Sequence, residues 1–183
     1  MDWQVIGSVA SAIAAIAALI TAVIMAFQIR LIRSSICVDV LLRLDAHFNS
    51  ADMRSIRRKA ASYLMRRNFN PHLVLPDDEK RCQVALDDLL DFFEGIAYLA
   101  RKRRTPDAED VWCFFFHFIE HYWQAAKDYI KQSREQEKDE LRWQELEHFR
   151  NNLVAIECKH RKYKVPDNDQ LRRFLEDEMK LTV

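Results

Sequence analysis

The sequence predicts an all-α protein, with one N-terminal transmembrane helix followed by a bundle of about five helices. Three observations predict it. The 183 residues include only two glycines and four prolines, and a chain so poor in turn-forming residues has few turns and long helices. No residue from Trp3 to Ile29 is charged. Later segments repeat their apolar residues at three- and four-residue spacing, and none alternates with period two for the length of a strand.

The uncharged run comes first. As a helix, 5–27 rises roughly 35 Å at about 1.5 Å per residue, enough for a hydrocarbon core of about 30 Å. A signal peptide wants a basic start and a shorter apolar stretch. Here the chain begins Met1-Asp2-Trp3-Gln4, and the basic residues Arg30 and Arg33 follow the apolar run. That order predicts an inner-membrane anchor over 1–33, N-terminus outside, and a cytoplasmic domain over 34–183. One side of the helix carries Gln4, Gly7, Ser11, Ala14, Ala18, Thr21, Met25 and Gln28, spaced alternately three and four apart. Such a heptad seam of small and mildly polar residues lets helices approach closely in lipid, so self-association, with or without a lumen, is expected.

No breaker interrupts the helix before Asn49-Ser50. Ser50 is placed to cap a second helix over 51–67, with Met53, Ile56, Ala60, Tyr63 and Leu64 on its apolar side. Its other side is read as a basic patch of Arg54, Arg57, Arg58, Lys59, Arg66 and Arg67, extended by Arg101, Lys102, Arg103 and Arg104 at the end of a third helix over 77–102. That third helix has acidic residues in its first turn and the core stripe Cys82, Leu86, Leu89, Phe93, Ile96 and Leu99. Thr105-Pro106 starts a fourth helix over 106–134, whose WCFFFHFIEHYW run at 112–123 is too short to span a bilayer and reads as a buried central helix. A fifth helix over 140–163 follows the charged stretch 134–140, and Pro166-Asp167 opens a last one to Met179.

Net charge is zero, with 28 basic and 28 acidic residues, so only local basic groups could meet lipid headgroups, RNA or a partner protein. The four cysteines form no CxxC pair, which excludes zinc-ribbon spacing and fits reduced thiols. With only Gly7 and Gly95, phosphate-binding and dinucleotide loops are excluded, as is a nucleophile elbow. Cys113, His117 and His121 share a stripe, but the ends of that stripe lie about 12 Å apart along the axis. One ion cannot join both ends, HFIEH is not the zincin HExxH, and the histidines read as a hydrogen-bonded pair. No cofactor or metal is expected, and an ordinary enzyme is not expected either. Asp87, Asp88 and Asp91 read as a solvated face.

The segment LLDFFEGIAYLARKRRTPDAEDVWCFFFHFIEHYW at 89–123 has an aromatic-Glu turn at Phe93-Glu94, a short linker, and a helix ending in Tyr122-Trp123. Arg134 and a helix centred on Phe149 follow it. Over roughly 80–160, and in its N-terminal anchor, the chain resembles a family of small bacterial membrane-anchored helical proteins whose conserved domain has no assigned function. It is also similar in plan to the membrane accessory proteins of type VI-B CRISPR systems. The resemblance implies a homo-oligomeric pore that enhances antiviral defence, with RNA or a CRISPR effector protein as possible partners. It also implies a divergent HEPN-like Arg/His ribonuclease motif, which only Arg67 with His72, or Arg142 with His148, would match here. A membrane-tethered ribonuclease and a scaffold recruiting a partner through the basic groups are the other functions expected.

Overall fold

The computed structural model describes residues 3–101 and 108–182, the side chains of 3–14, 33 and 34 excepted. Among them are six helices and no strand: α1 (Trp3–Phe48), α2 (Ala51–Asn68), α3 (Glu79–Arg101), α4 (Ala108–Glu137), α5 (Gln144–His160) and α6 (Asn168–Met179). Two compact units divide the chain, residues 1–39 and 40–183.

The first unit is most of α1. Every described side chain from Ala15 to Ile32 is exposed, among them Ile16, Leu19, Ile20 and Phe27. The second unit holds the core. Within it α2 packs on α3 and α6, and α5 packs on α3 and α4. The last turns of α1 belong here: Leu41 and Phe48 are buried, and the Phe48 ring stacks on Phe92 at 5.7 Å and meets Phe118 edge-on at 4.8 Å.

Helix ends follow local chemistry. Ser50 Oγ accepts the Met53 amide at 3.2 Å, the N-cap expected of it. Asp78 Oδ1 accepts the Arg81 amide at 2.9 Å, so Asp77 and Asp78 sit before α3 and the helix begins at Glu79, two residues later than expected. Asp167 and Gln170 form a reciprocal capping box on α6. The charged stretch at 134–140 does not end α4 at Arg134. The helix runs on to Glu137, and the chain turns at Lys138 with φ 55°. α5 is shorter than expected at both ends, 144–160 instead of 140–163. Its start is set by Trp143, also at φ 55°, a conformation costly for a bulky residue unless tertiary contacts hold it. Thr105-Pro106 lies outside the described residues.

The helix at 112–123, read as a buried central helix, is buried on one side only. Val111, Phe115, Ile119, Tyr122, Ala126 and Ile130 form one buried stripe, while Cys113, Phe114 and His117 are exposed. The neighbouring helices cover one side of α4, so the helix is amphipathic with an aromatic-rich solvent edge.

Candidate functional site

The apolar N-terminal helix is the first candidate. One described helical stretch, 15–48, is long and apolar enough to cross a bilayer, and none of its most apolar window is buried. Of the expected seam, Ala18, Thr21, Met25 and Gln28 are exposed on α1, and Thr21 Oγ1 donates to the Ala17 carbonyl at 2.8 Å. The side chains of Gln4, Gly7, Ser11 and Ala14 lie outside the described residues.

The basic patch is altered most at Arg57. This residue is 3 % exposed and belongs to the core, which corrects its assignment to the basic face. Its Nε and Nη2 donate to the two oxygens of Glu178 on α6 at 2.7 and 2.5 Å, and its guanidinium lies 4.0 Å over the Phe48 ring. Tyr122 donates its hydroxyl to Glu178 at 2.8 Å, and burial, reinforced by that carboxylate, pushes the phenol's pKa well up. The reason is spacing: Arg57 is four residues after Met53 and three before Ala60, on the apolar stripe itself. Three of the other basic groups are neutralised locally. Lys59 pairs with Asp77 at 2.9 Å, Arg66 with Glu79 at 3.8 Å, and Arg101 with Glu145 at 2.7 Å. Arg54 and Arg58 differ, for each has a buried Nε with no hydrogen-bond partner. Lys102, Arg103 and Arg104 lie outside the described residues.

Neither Arg/His match is assembled into a shared cleft. Arg67 donates to Gln132 at 2.6 Å and lies over the Tyr129 ring. It lines two clefts, and exposed His72 lines neither. Arg142 is engaged elsewhere: Nη1 donates to Ser133 Oγ at 2.9 Å and pairs with Glu137, and Nη2 pairs with Asp87 at 3.4 Å. His148 instead edges a cleft of about 130 Å³ with Arg101, Phe149 and Asn152, below the range of about 300–1,000 Å³ typical of ligand pockets.

Asp88 and Asp91 are exposed, as a solvated face implies, and Asp87 is half-buried; Asp87 and Asp91 also accept hydrogen bonds from the neighbouring helix and loop. Asp87 Oδ1 accepts the Tyr129 hydroxyl at 2.6 Å, and Asp91 Oδ1 accepts the Trp143 indole N–H at 2.7 Å. Burial raises the Asp87 carboxyl, against the Tyr129 bond and Arg142. Glu94 accepts the amides of Glu145 and Leu146 at 3.2 and 2.5 Å, capping α5 from α3 where Trp143 supplies no side-chain cap. Glu120, given no structural role in the sequence analysis, is 2 % exposed. Arg150 holds it through Nε and Nη2, both at 2.6 Å, with Tyr163 and Gln124 alongside. Burial pushes the carboxyl up, but these bonds together outweigh it and hold it below the usual range. Tyr163 is pushed up to about 12, first by burial and then by its bond to Glu120. A buried Glu on α4 and an Arg on α5 carry no pairwise signature in one sequence.

The histidine pair is present: His117 and His121 have ring centroids 4.0 Å apart, and His121 Nδ1 meets the His117 carbonyl at 2.7 Å. No group of three or more metal-ligating side chains occurs among the described residues.

The features together define an all-helical protein bearing one exposed apolar N-terminal helix of membrane-crossing length. Comparison with protein-family models, with curated proteins and with solved structures finds no match to this chain.

Proposed function

We propose that the protein is a single-pass inner-membrane protein with its helical bundle in the cytoplasm. Copies associate through the membrane helix, and the assembly acts in antiviral defence by opening a pore or depolarising the membrane. The observation that carries the membrane assignment is α1 itself. Its uncharged stretch, 3–29, holds Ile16, Leu19, Ile20, Val23, Ile24 and Phe27 each more than half exposed, a surface disfavoured in water and stable in hydrocarbon. A removable signal sequence accounts for less. The helix continues through Gln28-Ile29-Arg30-Leu31-Ile32-Arg33 without a small-residue cleavage stretch, and it ends at Phe48 inside the core.

Self-association rests on the seam. Ala18 permits close approach, and Thr21, its hydroxyl proton already donated to Ala17, still offers lone pairs to a neighbouring helix. The defence role rests on the resemblance in plan to the CRISPR accessory membrane proteins. Light scattering on the detergent-purified chain should give a defined multiple of 21.7 kDa; a monodisperse monomer overturns the assembly. Orientation has its own test. Cys113 and Cys158 are exposed, so a membrane-impermeant maleimide should label them in lysed but not intact spheroplasts. Labelling in intact spheroplasts overturns the cytoplasmic placement.

A scaffold is the second reading, favoured by Arg54 and Arg58, which no carboxylate among the described residues is seen to neutralise and whose Nε atoms lack a hydrogen-bond partner. It predicts that an unrelated membrane helix in place of 1–33 preserves activity, whereas a pore former loses it. No arrangement of the described residues favours a tethered ribonuclease.

A further inference from the structure

We propose that His117 and His121 form a surface binding site for one divalent first-row transition-metal ion of the zinc, nickel or copper class, with water completing its coordination. The two residues are one turn apart on α4, the separation at which helical side chains reach the same point in space, and their rings are 4.0 Å apart. His121 Nδ1 meets a carbonyl oxygen, which can only accept, so the proton sits on Nδ1 and the lone pair on Nε2 is free for a ligand. Metal-binding imidazoles are commonly oriented in this way by a backbone carbonyl. His117 is exposed, and neither of its nitrogens has a hydrogen-bond partner among the described residues. Both nitrogens of His117 are therefore open to a ligand from solvent.

The surroundings hold the rings in place. Phe174 on α6 packs against His121 at 4.8 Å and against His117 at 5.5 Å. The pair opens on a cleft of about 430 Å³, which is also lined by Gln170, Arg173, Asp177 and Glu178. Glu178 is committed to Arg57 and Tyr122, and Asp177 to Lys180. The protein therefore supplies two ligands, both imidazole, the donor type that suits zinc, copper and nickel in preference to magnesium or calcium. Cys113, a further turn back, is too far from His121 to share the ion.

Isothermal titration of the full detergent-solubilised chain with zinc chloride tests the site. One zinc per chain is expected, with binding weakened about tenfold or more in His117→Ala and in His121→Gln, and unchanged in Cys113→Ser. Electron paramagnetic resonance of the wild-type chain with one equivalent of Cu²⁺ should show coupling to imidazole nitrogen, a readout that needs no variant. Zinc binding that persists in the His117→Ala/His121→Gln double variant overturns the proposal, and so does a copper spectrum without imidazole coupling.

Discussion

Arg57 donates two hydrogen bonds to buried Glu178, and Tyr122 donates a third to the same carboxylate. Removing one partner strands the other charge. Glu178→Ala should therefore cost about 3–5 kcal/mol in chemical denaturation, whereas Arg57→Met combined with Glu178→Leu should restore most of that loss. Glu120 gives a pH signature. Its folded pKa is below its unfolded value, near 4.5, so it contributes stability above that value and loses it as pH falls through the folded pKa. Thermal melts of wild type and Glu120→Gln should differ most near neutrality and converge below about pH 4.5. Asp87 and Glu94 act in the opposite sense: burial, the largest cause, raises both, so the stability linked to them falls as pH rises from the unfolded to the folded value. The burial of Arg57 was not legible from its charge, which put it on the basic face, although its place on the apolar stripe at i+4 from Met53 was legible. The Glu120–Arg150 pair was not, because thirty residues and a turn separate its members.

Helix by helix, the starts that depend on a nearby side chain were readable: Ser50 before α2 and Asp167 before α6 act as the sequence implies. The start of α5 depends on Glu94, a residue of α3, and so escaped local reasoning. Glu94→Ala leaves two α5 amides without their acceptor and should destabilise the fold by about 1–2 kcal/mol, seen as a lower denaturation midpoint. In α1 the exposed Ala18 and Thr21 are the described seam positions nearest the middle of the apolar stretch 5–27. Ala18→Ile with Thr21→Leu keeps the segment apolar but thickens the seam. Lower oligomer mass by light scattering is the expected result, and unchanged mass would place the contact elsewhere on the helix.

For the molecule as a whole, the division at Asp39/Val40 leaves the second unit with the complete core, including Leu41 and Phe48 from the end of α1. A chain of residues 40–183 should be water-soluble, monomeric and cooperatively folded, checked by circular dichroism melting and sedimentation. Truncation after Phe48 instead removes a ring that contacts Phe92, Phe93, Phe115 and Phe118, and should cost about 3–5 kcal/mol or abolish folding.

Hydrophobic periodicity, breaker scarcity and the uncharged run by themselves determined the helical class, the number of helices in the bundle and the long first helix. These are properties of neighbours in the chain, set by backbone geometry and side-chain spacing, and they survive without knowledge of the fold. Only the tertiary structure decided which charges are buried, which acids are partners and which face of α4 meets solvent. Such outcomes depend on groups distant in sequence meeting where a lone charge is costly and a paired one is tolerated. Composition does not encode those meetings.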